Sequence, residues 1–481
     1  MRLYRKEGDT LHILSFSEER AERGDYLLIE DPKERKSLLV QVLDIQFANP
    51  PGIMEDLLRE TVAEDQTFGD DIDPLSLNSQ IILLRDARLI VCKIRCSLEG
   101  GRLSTNISWL PSRSSSIIRV ANTREVIEMI GSGGRHPIEV GVSKSGSEVE
   151  VDAEALDGGL SIIVGRKGTG KSHLSKLLLL GLIDYGAPCI VFDVNGEYVN
   201  LDRSRAGSGS HQRGRVTVLE ACRDFKVTLG YVGSSVMLDI LNHALGLPGN
   251  SARVFYQIWR HLEGRGLLTL EELGEAIEDW GCNESVREAI YSRYNTLVSS
   301  GFFTDDTTYT YTLEGTFGKM AQGGALVVNL SGLSGVVRRI VVEFMLGKLV
   351  ELLKSWRLKA AFLFAEEAHL YLRETYWEDI VTRMRHLGLF TIFITNQPDS
   401  IPEDIYRQVD SIFVFNLRNG HDLDTVSTVA KIDEETMKLI ASNLEPHHCL
   451  VVGQATRELP IVIKVKQLDV EAMGETRRFF A

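Results

Sequence analysis

Apolar and polar residues alternate in two different ways along this chain, and the change falls near residue 145. Before it, β-type runs recur at 10–16, 25–29, 37–47, 81–96 and 115–120, with turns such as Glu99-Gly100-Gly101 between them. Short strands at regular spacing predict a small β-barrel, which leaves no open sheet edge. From Gly159 onward, apolar strands alternate with amphipathic helices. The strands are expected at 161–164, 189–192, 325–330, 360–364, 390–395 and 411–415, and a long helix at 336–353. This pattern predicts an α/β fold with a doubly wound parallel sheet. In such a sheet, ligand chemistry collects at the carboxyl ends of the strands. Helical runs at 236–245, 251–262, 270–279 and 286–299, with a turn at Leu247-Pro248-Gly249, predict a helical insertion over about 234–300. The expected division is 1–145, 146–465 with that insertion, and a tail over 466–481.

The first α/β crossover carries the sharpest chemistry. Gly165-Arg166-Lys167-Gly168-Thr169-Gly170-Lys171-Ser172 has the spacing G-x-x-x-x-G-K-S. It follows a strand-type run and opens a helix at His173, which is the context a P-loop requires. Backbone N–H groups of such a loop and the positive helix end face an anion. The expected contacts to ATP are therefore Gly165 through Ser172, with His173 beside them. Lys171 would reach the β- and γ-phosphates, and the Ser172 hydroxyl would ligate Mg²⁺.

Ala361-Phe362-Leu363-Phe364-Ala365-Glu366-Glu367-Ala368-His369 adds two acids at a strand exit. Glu366 is expected to hold Mg²⁺ through water, and Glu367 to orient or deprotonate the attacking water. Asp193-Val194-Asn195-Gly196-Glu197-Tyr198 is another polar strand exit, expected beside the P-loop, with Asp193 a further metal or supporting carboxylate; a helix cap followed by surface residues is the alternative. A strand ending Thr395-Asn396-Gln397-Pro398 makes Gln397 a candidate sensor of the γ-phosphate. Arg383 and Arg385 precede that strand, and either could complete a neighbouring subunit's site in trans. Arg418 is a weaker candidate for the same role.

Bulk composition narrows the class. The chain has 481 residues, 43% hydrophobic and 25% charged, with 67 acids against 53 bases and a net charge of −14. These values describe a folded chain of two or three units. They exclude an overall basic coat, though a basic pore could still lie inside an acidic exterior. Six scattered cysteines suit buried reduced thiols rather than a disulfide frame or zinc site. The start, Met1-Arg2-Leu3-Tyr4-Arg5-Lys6, lacks an apolar signal core. The most apolar stretch, 325–353, is broken by Arg338, Arg339 and Glu343, so no membrane span is expected and the chain reads as cytoplasmic. Acids cluster over 55–73, as a solvated loop or a partner-docking segment. Arg203, Arg205, His211, Arg213 and Arg215 lie in a Gly/Ser-rich stretch, which reads as an exposed connector or a loop gripping DNA phosphates.

Together these pieces resemble the HerA family within the HerA/FtsK group. The resemblance rests on the P-loop, the D-x-x-G-E-Y segment from Asp193 to Tyr198, E-E-A-H from Glu366 to His369, and T-x-Q-P from Thr395 to Pro398. Arg23-Gly24-Asp25-Tyr26-Leu27-Leu28-Ile29-Glu30 also looks like the family's barrel. The segments 325–349 and 460–480 are similar too, so the likeness spans nearly the whole chain. It implies a RecA-like P-loop ATPase core behind an N-terminal β-barrel, and a homohexameric ring hydrolysing ATP between subunits. It also implies movement of double-stranded DNA through a pore, a tail packing on a neighbour, and a nuclease partner of the NurA type or another effector. Glu366 stands where the family usually has Asp. The family's glycine-arginine run is here Arg383-Met384-Arg385-His386, so the trans arginine stays unassigned between two positions. An ATP-gated hexameric scaffold for an effector nuclease is the alternative function, and a conjugation-type pump a third.

Overall fold

The computed structural model describes residues 1–15, 21–48, 87–100, 102–104, 107, 109–129, 134–144, 146–203, 214–372, 385–429 and 433–468. Its first sheet holds β1 (Arg2–Glu7), β2 (Thr10–Ser15), β3 (Tyr26–Asp31), β4 (Lys36–Phe47), β5 (Arg88–Glu99), β6 (Arg102–Ser104) and β7 (Ile117–Ala121). The strand order is β1-β2-β5-β4-β3-β7, with β6 on β5. Among the described residues β1 pairs only with β2 and β7 only with β3, so these ladders do not close into the expected barrel. Bulges between Leu39 and Val40 and between Val42 and Asp44 bend the long β4–β5 ribbon. Period-2 alternation buries both faces. Leu27, Ile29, Val40 and Cys92 share one cluster. Tyr26, Leu28, Leu39 and Cys96 share another with α1 (Thr123–Met129) and Leu459.

The second sheet contains β8 (Pro137–Ser143), β9 (Glu148–Asp152), β10 (Leu160–Val164), β11 (Pro188–Asp193), β12 (Val216–Glu220) and β13 (Gly324–Asn329). It continues through β14 (Ala361–Glu366), β15 (Leu389–Thr395), β16 (Ser411–Val414), β17 (His448–Gly453) and β18 (Ile461–Val465). Its order is β12-β13-β11-β14-β15-β10-β16-β17-β18-β8-β9. From β12 to β16 the neighbours are parallel. From β16 to β9 they are antiparallel. Near-continuous burial along β10, β11, β14 and β15 reflects cover on both faces. Ile163, Val191 and Phe364 face α2 (Lys171–Asp184). Ile162, Phe192 and Phe393 face the opposite core, which includes the long helix Gly335–Lys354.

Helices α3 (Gly249–Arg265), α4 (Leu270–Asp279) and α5 (Glu284–Ser299) lie in the inserted segment, preceded by a short helix Ser234–Asp239 and a π-turn Ile240–Ala244. Trp259 and Phe255 anchor the insertion in the core shared with α6 (Gly335–Lys354). Helix α7 (Gly420–Val429) follows β16.

Two expectations need correction. The division at 145 falls too late, because β8 pairs with β18 and therefore belongs to the second sheet. That pairing is set by the chain's distant return, not by local pattern. Asp193 ends β11, which is separated from the P-loop strand β10 by β14 and β15. The β10–α2–β11 crossover skips two positions, so this exit adjoins the Glu366 strand rather than the P-loop strand. The acidic stretch 55–73, Arg205, His211, Arg213, Arg383 and the tail 469–481 lie outside the described residues.

Candidate nucleotide site

The P-loop turns between β10 and α2 under tight backbone constraint. Gly165 has φ 152°, and a Cβ there would lie 2.5 Å from Phe415 Cβ. Gly170 has φ 117°, and its Cβ would lie 3.1 Å from Phe415 Cε1. Only glycine suits both positions. The loop is held from outside: Arg166 N–H donates to the Asn416 carbonyl at 3.3 Å, and His447 N–H donates to the Thr169 carbonyl at 3.0 Å. Within it, Thr169 Oγ1 donates to the Arg166 carbonyl at 2.7 Å. Lys171 Nζ donates to the same carbonyl at 3.1 Å. Arg166, Lys167 and Gly168 are exposed, whereas Lys171 is buried. Burial pushes the Lys171 pKa down, while Glu367, Glu366 and Glu197 pull it back.

The His173 side chain is not at the loop. Its Nε2 lies 2.7 Å from the Lys466 carbonyl and 2.9 Å from Leu468 N. Its backbone N–H donates to the Gly170 carbonyl at 3.1 Å. The expected nucleotide contact is thus replaced by docking of residues 466–468 on their own subunit's α2.

Across the sheet edge, Ser172 Oγ donates to Glu366 Oε1 at 3.4 Å. Glu366 is 1% exposed and Asp193 0%. Asp193 closes its own turn: Oδ1 accepts Glu197 N–H at 2.9 Å, and Oδ2 accepts Tyr198 N–H at 2.8 Å. The two acids also act on each other's charge. Burial raises both pKa values, and the Asp193 charge raises Glu366 further. Beneath them Lys176 Nζ lies 3.6 Å from Glu197 Oε2 and 5.0 Å from the Tyr198 ring centroid. Sequence reasoning passed over Lys176, because a lysine one turn into α2 reads as a surface residue.

These groups fit Mg²⁺ with a nucleotide. Ser172 and Glu366 present oxygen donors, and Glu366 Oε2 is buried with no donor among the described residues. No group of three or more His, Cys, Asp or Glu among the described residues could hold a metal by itself. A cation here would complete its shell with phosphate oxygens and water, as Mg²⁺ commonly does. Asp193 enters that arrangement only through Glu366.

Glu367 follows with a left-handed φ of 46°. His369 Nδ1 lies 3.4 Å from Glu367 Oε2 and 3.2 Å from Thr395 Oγ1. Gln397 is exposed, and its backbone N–H donates to Thr395 Oγ1 at 3.0 Å. The buried amide oxygen at this strand end belongs to Asn396, whose Oδ1 has no hydrogen-bond partner among the described residues. Asn396 and His369 both stood inside recognised motifs, but nothing in the sequence gave either a direction. On α6, the half-buried Arg338 donates through Nη2 to the Leu333 carbonyl at 3.3 Å, and its charge acts on His369.

Arg385 lies elsewhere. It pairs with Asp410 at 3.3 Å and is 45% exposed. Asp410 also accepts Leu160 N–H at 2.9 Å, at the amino end of β10. Arg385 therefore sits at the edge of the sheet opposite the phosphate loop. Arg215 is held by Asp184 at 3.2 Å and by the Gln322 carbonyl at 3.1 Å. The six cysteines are free thiols. Among the described residues no helix is long and apolar enough to cross a membrane.

Known proteins share this arrangement. A family profile described as helicase HerA, central domain, matches residues 138–349. A DNA double-strand break repair helicase HerA of Sulfolobus acidocaldarius is 22% identical over 489 positions, covering 95% of this chain and 91% of that one. The bacterial conjugative coupling protein TrwB, in an unbound form, superposes with a TM-score of 0.53 at 14% identity, covering 74% of this chain and 94% of that chain. VirB4 of Thermoanaerobacter pseudethanolicus gives 0.51 at 16% identity, covering 70% and 98%. TrwB in complex with ADP and Mg²⁺ gives 0.51 at 15% identity, covering 74% and 94%. The structural likeness speaks for a P-loop ATPase fold. The central-domain profile starts at the β8 ladder and spans the P-loop, and the HerA alignment runs through both sheets: residues 138–349 match the HerA central domain, and the chain is similar to a HerA helicase along nearly its whole length.

Proposed function

We propose that this chain is an ATP-driven double-stranded DNA translocase or helicase that works as a homohexameric ring. A nuclease of the NurA type, or another effector, would be its partner in DNA end processing or defence. The observation that carries the ATPase part is the Ser172 hydroxyl 3.4 Å from Glu366, with Glu367 next in the chain and Lys171 buried beside both. Lys171 would bind the β- and γ-phosphates, and Glu367 would orient the attacking water and take its proton. Ser172 and Glu366 would hold Mg²⁺, which would supply positive charge against the phosphates. Asn396, aimed inward from β15, suits a γ-phosphate sensor better than the exposed Gln397.

Arg385 supports a site shared between subunits. The seven residues of β15, at about 3.3 Å each, place it roughly 20 Å from its own strand's carboxyl edge. It cannot serve the phosphates of its own P-loop, so any phosphate it reaches belongs to a neighbour. Arg383 keeps the same candidacy. The HerA relative's name and the matched central-domain profile support DNA as the substrate.

The test is turnover of Mg-ATP with no DNA, single-stranded DNA and double-stranded DNA, on material of measured oligomeric state. Double-stranded DNA should stimulate the wild type, and Lys171→Ala should abolish turnover. A hexamer whose rate no form of DNA changes would overturn the translocase reading.

A further inference from the structure

A short 3-10 turn, Ala368–Leu370, carries the His369 ring back over Glu367. Nδ1 then lies 3.4 Å from Glu367 Oε2 and 3.2 Å from Thr395 Oγ1, on the neighbouring strand β15. The His369 side chain is 9% exposed. Burial holds its pKa below the usual imidazole value, so the ring is neutral near pH 7. Nδ1 of a neutral imidazole is either a donor or an acceptor. Bare, it accepts the Thr395 hydroxyl, the bond made in this structure; with a hydrogen it can donate to Glu367, which already stands at ion-pair distance, after a small turn of the carboxylate. The two bonds exclude each other, and exchanging them moves the ring hydrogen to the other nitrogen without changing the charge.

Both partners are built for such an exchange. Glu367 Oε2 has no hydrogen-bond partner among the described residues, and His369 stands at ion-pair distance from it. The Thr395 hydroxyl has a second outlet, the Gln397 carbonyl at 3.3 Å. When Nδ1 serves Glu367, Thr395 turns to Gln397. When Thr395 turns to Nδ1, Glu367 is released.

We propose that His369 is a positioning residue that holds Glu367 in one hydrogen-bonded state and frees it in the other, in exchange for Thr395. The end of β15 and the water-orienting carboxylate are thereby coupled through one nitrogen. This deepens the reading of Glu367 given above and rests on it.

The experiment uses the assembled chain with Mg-ATP. An asparagine amide can place a polar atom where Nδ1 stands, whereas glutamine places it where Nε2 stands. His369→Asn should keep kcat within about three-fold of wild type, while His369→Gln and His369→Leu should lose about 10- to 100-fold, a fraction of what a full general base supplies. The KM for ATP should move little in all three. Thr395→Val should change kcat in the wild type and add nothing to His369→Leu, since partners in one network are non-additive. Equal losses for Asn and Gln, or effects of Thr395→Val and His369→Leu that multiply, would overturn the exchange. Glu367→Gln separates the two readings. If it turns over like wild type, the assignment of Glu367 fails. If it is inactive while His369→Gln and His369→Leu keep wild-type kcat, Glu367 stands and the exchange falls.

Discussion

Arg95→Met should loosen the N-terminal sheet from the ATPase sheet without touching the nucleotide site. Arg95 Nη1 donates to Asp433 Oδ2 at 2.9 Å, and Nη2 donates to Thr436 Oγ1 at 2.7 Å. Nε and Nη2 both donate to Gln41 Oε1, at 3.1 and 2.9 Å. The side chain is 10% exposed and Asp433 25%. Removing one member of a buried ion pair costs about 3–5 kcal/mol. Asp433 keeps its bonds from Thr436 N–H and Oγ1, which places its share at the low end. Gln41 Oε1, on a residue 0% exposed, would lose both Arg95 donors, at about 1 kcal/mol or more. Methionine keeps most of the apolar stem, so a net loss of about 3–4 kcal/mol follows. Hydrogen exchange of β3, β4 and β5 amides against those of β10 and β15 would locate the loss in the first sheet. A cycle with Asp433→Asn would give the pair's coupling. The sign with pH is fixed too. Burial raises the Asp433 pKa, but Arg95 and Thr436 outweigh it, so the carboxyl titrates below its usual range. Its contribution is present above the unfolded pKa of about 4 and is lost as pH falls through the folded value. The gap between wild type and Arg95→Met should therefore hold at neutral pH and narrow only in acid. A loss under about 1 kcal/mol at pH 7 would refute the orphan-acceptor argument.

Gly165→Ala should cost the loop about 2–4 kcal/mol, from a Cβ pressed on Phe415 and an unfavourable φ; titration with a fluorescent nucleotide should show weaker binding while far-UV circular dichroism stays unchanged. The Asp239 carboxyl is pushed up to about 6, first by burial, with His243 opposing and Glu343 adding. A raised acid stabilises below its unfolded pKa and loses that stability as pH rises through the folded value, so Asp239→Asn should gain about 1–2 kcal/mol at pH 7.5 and nothing at pH 3.5, allowing for partial exposure, by denaturant titration at the two pH values. If ATP is hydrolysed between neighbours, a minority of Lys171→Ala subunits mixed into wild-type rings should depress turnover by more than their fraction.

Strand and helix existence was legible in the sequence because burial sets a period. Runs such as 189–192 and 390–395 became β11 and β15 with small changes at their ends. The glycine turn after β10 and the place of Glu366 were legible because only glycine suits such a turn and an apolar run marks where a strand ends. What could not be read was placement across strands. β1, with Lys6 and Glu7 exposed, has no apolar period to announce it. β8 looked like part of the first unit because only β18, far along the chain, decides its sheet. Asp193 was expected beside the P-loop because it follows α2, yet the crossover lands two strands further on. The side chains of His173 and Gln397 lie away from the loop for a smaller reason: motif position fixes where a Cα lies, and packing decides where the side chain points.

The same limit explains how the two sheets are joined. Asp433 and Thr436 receive Arg95 from the first sheet. A few residues later the Ser442 and Leu444 carbonyls accept Asn416 Nδ2 at 3.2 and 2.7 Å. Asn416 in turn accepts Arg166 N–H from the phosphate loop, and His447 donates to Thr169 within it. One segment, 433–447, thus binds the first sheet at its start and the phosphate loop at its end. These contacts run in series along one segment of chain. Displacement of the first sheet would reach the P-loop by this path before it reached Glu366 or Glu367, which hang from β14 in the middle of the parallel sheet. A partner docked on the N-terminal sheet would therefore act first on nucleotide binding and only second on hydrolysis.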